Sequence, residues 1–339
     1  MTRSATFQPP RAEHPFAQFV RILGKGRTGT RSLEEAEARE AFGMILRGEV
    51  ESLQLGAFLM LLRVKEETPQ ELAGFVGACR QEMTSPPAGL AADLDWSSYA
   101  GKRHQHPWFL LSILLLAQGG YRVFIHGSDG HTPGRLYLEQ AMSALGLPVA
   151  SGWDEVATQL DTQGFSYLPL RNFCPPLHDM MQLRPLLGLR SPVNTLARLL
   201  NPLAARHSLQ SVFHPNYCAL HQDADRLLGQ PHAGVFKGDS GEVEIKPQAD
   251  TTLWLLRDEH QICVRLERSL PNRVPPVERP DTAPLVSLWR DERDDEYGRE
   301  AVLATATAAL LVLRPQWRLP DARAAVLELW DQRDRGTLG

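Results

Sequence analysis

The period of the apolar residues changes once, near residue 90, and this limits the architecture of the 339-residue chain more than any other feature. Before that point every apolar run has helical spacing. AQFVRILG (17–24) reads as a short amphipathic helix ended by glycine. SLEEAEAREAFGMILRG (32–48) opens on Ser32 and Glu35 as a capping box and closes at Gly48. SLQLGAFLMLLRVK (52–65) is more apolar and is expected at the centre of the bundle. TPQELAGFVGACRQEM (68–83) starts with Thr68 as cap, Pro69 at the first helical position and Glu71 three residues after the cap. SPPAGL (85–90) reads as a linker. Beyond it, strands YRVFIHG, FSYLPL, SLQSVFH, HAGVFKG and TTLWLLRD are separated by helices WFLLSILLLAQGG, TPGRLYLEQAMSALG and WDEVATQLDTQG. Two more helices, 297–313 and 320–330, end the chain. The alternation predicts an α/β domain with a largely parallel sheet behind a small N-terminal all-α domain. The expected division is a loose arm at 1–12, a helical domain at 13–84 joined by part of 175–205, and the α/β domain at 91–339.

An apolar fraction of 43% and a charged fraction of 22% are ordinary for a globular protein and exclude disordered or collagen-like chains. A net charge of −4 means that any anion site must arise from local charge separation. Cys79, Cys174, Cys218 and Cys263 lie far apart without a CxxC pair, which predicts reduced thiols and no zinc site. The longest apolar run, Phe109 to Ala117, broken only by Ser112, falls far short of the ~20 residues that span a bilayer. A soluble, cytoplasmic protein is expected.

Local charge separation is found between Asp179 and Asp223, where no Asp or Glu occurs. That stretch carries Arg184, Arg190, Arg198 and Arg206. Ser191 and Pro192 read as the start of a helix continuing from Asn194 to Leu203, whose N-terminus suits a phosphate or carboxylate. A solvated basic face is the plain alternative. GKRHQHPWF adds Lys102 and Arg103; its His104 and His106 lack the further ligands of a metal site. GKGRTGTR, with Lys25, Arg27 and Arg31, reads as a solvent-facing turn, and GDSGEV (238–243) as a tight turn. No nucleophile triad, P-loop or dinucleotide loop is present.

RPLLGLRSPVNTLARLLNP (184–202), with His126–Gly127 and the ALG at 144–146, resembles the signature of anthranilate phosphoribosyltransferase and related class III phosphoribosyltransferases. The resemblance implies their fold. It also implies a vestigial substrate site at His126, Gly127, Asn194 and Glu244, with Arg184 in line with the enzymes' anthranilate-carboxylate arginine. The enzymes hold phosphoribosyl diphosphate on a GTGGD-type loop, and the corresponding YAGKRHQHPWF has one glycine. Their magnesium-binding Asp-Glu pair appears as Val243–Glu244, and a lone glutamate anchors magnesium poorly. NFCPPLHDMMQLR, SVFHPNY and VFKGDSGEVEIKP are similar to the YbiB-type paralogues, which keep the fold without the transferase loops. That resemblance implies a homodimer that binds single- or double-stranded DNA or RNA without sequence preference, at Arg184, Arg190, Ser191, Arg198 and Arg206, with Lys102 and Arg103 secondary. It implies no catalytic residue, no cofactor and no membrane partner. The alternative is a glycosyl- or phosphoribosyltransferase with an altered donor site, which requires magnesium and phosphoribosyl diphosphate.

Overall fold

The computed structural model describes residues 12–26, 28–130 and 132–338. The arm expected at 1–12 lies outside them except for Ala12, as does Arg27. Four helices come first: α1 (Ala17–Gly24), α2 (Glu35–Leu46), α3 (Ser52–Lys65) and α4 (Pro69–Glu82). Thr68 caps α4 as the sequence predicts, its hydroxyl accepting the Glu71 N–H at 3.2 Å. Fully buried Glu71 in turn accepts the Leu33 N–H at 2.9 Å and the Lys65 ammonium at 3.0 Å, tying three helices together. The capping box of α2 is Glu34 with Glu37, not Ser32 with Glu35; the Ser32 hydroxyl accepts from Lys65 instead. Nor is α3 central. It buries Phe58, Leu59 and Leu62, but Leu53, Ala57 and Val64 on another face are bare.

Among the described residues seven strands follow: β1 (Leu94–Ser98), β2 (Val123–Gly127), β3 (Phe165–Pro169), β4 (His207–Val212), β5 (His232–Lys237), β6 (Thr251–Arg257) and β7 (His260–Leu266). They form one sheet in the order β3-β2-β1-β4-β5-β6-β7. The first five are parallel, and β6 and β7 are antiparallel additions. The connecting helices are α5 (Phe109–Gln118), α6 (Leu138–Ala144) and α7 (Trp153–Gln163), then short α8 (Leu170–Phe173), α9 (Pro175–Met181), α10 (Arg184–Leu187) and α11 (Val193–Leu196). After them come α12 (Tyr217–Leu227), α13 (Ala283–Trp289), α14 (Glu296–Leu313) and α15 (Leu319–Gln332). No helix among the described residues is long and apolar enough to cross a membrane.

Two large apolar cores flank the sheet, and strand periodicity feeds both: Val123 and Ile125 face one, Phe124 the other. The first core joins α5, α14 and α15. The second joins the N-terminal helices to Leu177, Met180, Val193, Leu196 and Leu200, so part of 175–205 packs with the bundle. The helix expected over 194–203 is only α11 followed by one 3-10 turn at Ala197–Leu199.

Candidate functional site

The strand order reverses between β1 and β4, so the loops leaving their C-terminal ends diverge and open a crevice. Four segments meet there: residues 99–104 after β1, 128–130 with 132–135 after β2, 213–215 after β4 and 237–244 after β5. Close approach selects glycine at two of these corners. A Cβ on Gly127 would stand 2.0 Å from the Ser98 carbonyl oxygen, and one on Gly238 would stand 1.7 Å from that of Glu242.

The loop after β1 is satisfied from within the chain. Buried Glu242 accepts the N–H groups of Ala100 at 3.1 Å and Gly101 at 2.9 Å. Arg135 holds the same loop from its carbonyl side, donating to Ala100 O at 2.9 Å and Gly101 O at 3.1 Å. The next residue, Lys102, is fully buried, and its ammonium donates to both Asp239 and Glu244. Burial works against that ammonium, yet Glu244 and Asp239 outweigh it and hold its pKa above the usual lysine value. Burial pushes Glu244 up to about 7 in spite of Lys102. The second Glu244 oxygen accepts the Phe109 N–H at 2.8 Å.

These residues do not fit a magnesium–diphosphate group. The backbone donors that a diphosphate needs are committed to a carboxylate, and the carboxylates that a cation needs are committed to an ammonium. Among the described residues no group of three or more His, Cys, Asp or Glu could hold a metal. His106 is instead bonded to the Asp281 carbonyl.

The predicted arginines divide. Arg184 and Arg190, half-buried, donate to one shared acceptor, the Thr132 hydroxyl, at 3.0 and 3.1 Å. Neither forms an ion pair with a carboxylate among the described residues. Burial, then the charges of Arg135, Arg184 and Arg198, hold Arg190 down to about 10, still cationic at neutral pH. Arg103 is exposed on the same edge. Four expected contacts are misplaced. Buried Arg198 donates to the carbonyls of Ser211 (2.7 Å), Asn194 (2.9 Å) and Gly241 (3.2 Å), which makes it a strut between loops. Arg206 is exposed just before β4, at the opposite end of the sheet. Lys102 presents no charge outward. Ser191 is buried and its side chain caps nothing; α11 is too short to offer an N-terminal anion site.

His126, fully buried, has Nδ1 2.7 Å from the Tyr99 hydroxyl and Nε2 3.3 Å from Asp95. Asn194 lines a cleft of about 140 Å3 with Arg63, Tyr99, Arg190, Phe213 and Tyr217. A larger cavity of about 600 Å3 adjoins it, with Arg103, Arg135, Lys237, Lys246, Phe213 and Trp254 in its wall. Sequence reasoning missed Arg135, Lys237 and Phe213 as site residues. Their signal was position: Lys237 and Phe213 stand at or just past the C-terminal ends of predicted strands.

The match to known proteins agrees with this architecture. Residues 20–83 match the glycosyl transferase family helical bundle domain and residues 110–272 the glycosyl transferase family a/b domain. The Escherichia coli (strain K12) protein YbiB is 31% identical over 237 residues, 69% of this chain and 73% of its own. Anthranilate phosphoribosyltransferase of Gluconobacter oxydans (strain 621H) is 28% identical over 310 residues, 87% of this chain and 84% of its own. The crystal structure of anthranilate phosphoribosyltransferase from Thermus thermophilus superposes with a TM-score of 0.78 at 23% identity, over 94% of each chain. The Saccharomyces cerevisiae enzyme in complex with PRPP and Mg gives 0.76 at 15% identity, over 94% of each chain.

Proposed function

The chain belongs to the glycosyl transferase family of anthranilate phosphoribosyltransferase, as a YbiB-type paralogue, and on that premise we propose that it is a non-catalytic nucleic-acid-binding protein. One observation carries the reading. The chain's own Glu242 and Lys102 take the hydrogen-bonding and charge roles of donor and metal, while Arg184 and Arg190 beside them form no ion pair with a carboxylate among the described residues. Guanidinium groups clustered without acids, with their charges raising one another's energy, favour a polyanion.

The ligand is single- or double-stranded DNA or RNA, bound through phosphates without sequence preference and without a cofactor. Arg103, Arg135, Arg184 and Arg190 supply the contacts. The protein is a cytoplasmic homodimer joined through its helical domain. Support for the dimer comes from α3, where Leu53 and Val64 are 81% and 85% exposed. Eleven residues are three helical turns, so these two side chains, with exposed Ala57 between them, lie along one face of the helix.

Two parallel titrations test the proposal by thermal unfolding. A single-stranded oligonucleotide at 100 times its Kd should add about 2.7 kcal/mol, the linkage expected of any ligand specific to the native state. Millimolar phosphoribosyl diphosphate with magnesium should leave the midpoint unchanged. The opposite pair of results would restore the transferase.

A further inference from the structure

We infer that the 600 Å3 cavity beside Phe213 holds one unstacked nucleotide, so that the protein prefers single strands to duplex; this rests on the nucleic-acid reading above. Phe213 is the residue that sets the site apart. It is a large apolar side chain left 46% exposed at the C-terminal end of β4, and it lines both the large cavity and the arginine-lined cleft. It is held there from below: a Cβ on Gly241 would stand 3.2 Å from the Phe213 Cβ, so the ring is seated on bare backbone. His214 meets it edge to face, with centroids 4.8 Å apart.

The cavity's chemistry is two-sided. Phe213 and Trp254 give its wall aromatic surface, and Arg103, Arg135, Lys237 and Lys246 give it positive charge. Its acids are already paired. Asp239 is paired with Lys102, and Asp250 accepts from Arg265 at 2.6 Å and from the Arg268 N–H at 3.1 Å. A flat apolar face next to these cations matches a base attached to its phosphate, and the volume lies within the roughly 300–1,000 Å3 of small-molecule sites. A base paired inside a duplex cannot offer its face to an aromatic ring, whereas a single strand can. Phosphate contacts at Arg184 and Arg190 serve both forms, so strand preference is assigned to Phe213.

The test uses the full chain with a single strand carrying 2-aminopurine and a duplex of equal length, at one salt concentration, with Phe213→Ala and Phe213→Trp. The expected result is single-strand binding about ten-fold tighter than duplex binding, the size of one base–aromatic contact. Phe213→Ala should lose that factor while keeping duplex affinity, which also reports an intact fold; Phe213→Trp should keep it. The 2-aminopurine emission should fall on binding to wild type and less so with Phe213→Ala. Equal single-strand and duplex affinities, unchanged by Phe213→Ala, would overturn the inference and leave the nucleic-acid reading standing. Binding of neither form would overturn both. Displacement of the strand's 2-aminopurine signal by micromolar nucleoside monophosphate would make the free nucleotide the occupant and overturn the strand preference.

Discussion

Replacing Lys102 with Met removes the one positive charge shared by two buried carboxylates while keeping a side chain of similar length. The cost follows from burial. Lys102 and Glu244 are fully buried and Asp239 nearly so, with side-chain exposures of 0%, 0% and 5%. Breaking a buried ion pair by removing one partner costs about 3–5 kcal/mol, because an uncompensated charge remains. The loss must depend on pH. Burial already raises Glu244 from 4.5 to about 7, and without the ammonium it rises further. A carboxyl whose folded pKa lies above its unfolded one stabilises fully below the unfolded value, and loses that contribution as pH rises through the folded value. Urea unfolding should therefore give a deficit of about 3–5 kcal/mol at pH 8. At pH 5, with Glu244 neutral and Asp239 still 4.0 Å from Lys246, only the about 1–3 kcal/mol of unmade hydrogen bonds should remain. A deficit below about 1 kcal/mol at pH 8, or one equal at both pH values, would refute the self-satisfied site.

Three further outcomes follow from other parts of the molecule. Buried His221, held down to about 3 by burial and then by Arg198, stabilises the fold fully above pH 6.5 and loses that contribution as pH falls towards 3. His221→Gln should therefore flatten the acid limb of the stability profile by up to about 1.4 kcal/mol per pH unit, and an unchanged slope in urea titrations would contradict the assignment. Gly238→Ala places a Cβ 1.7 Å from a backbone oxygen, so the turn that delivers Glu242 must move; chemical denaturation should show a loss of about 3 kcal/mol or more. Arg206→Glu, at the far end of the sheet, should leave oligonucleotide affinity and its salt dependence within error of wild type, although Arg206 shares the acid-free stretch with Arg184 and Arg190.

The fold was legible wherever one period dominated. The α4 cap at Thr68–Pro69–Glu71 and the strand VFIHG are local signals, and the structure places both as read. Two strands escaped for physical reasons. β1, LDWSS, buries Asp95, Ser97 and Ser98 and so lacks apolar alternation. β7 joins β6 through a turn at Asp258–Glu259 that has no glycine, with Asp258 itself at φ 51°. The site was half legible. Arg184 and Arg190 were found because acids are missing around them in sequence, but that signal carries no direction. It ranked Arg198 and Arg206 equally, although one is a buried strut and the other lies across the sheet. Lys102 misled because its partners, Asp239 and Glu244, are some 140 residues away, beyond the reach of any spacing argument.

On the proposed function, acid-free guanidinium groups at the crevice bind a polymer's phosphates. Fluorescence anisotropy of a labelled single strand, titrated at several salt concentrations against wild type and Arg184→Glu/Arg190→Glu, tests it most directly. Four cations per subunit predict a log–log salt slope of roughly −3 for wild type. The double variant should bind far more weakly, with a shallower slope. No binding at low salt, or a slope near zero that the two substitutions leave unchanged, would contradict the claim.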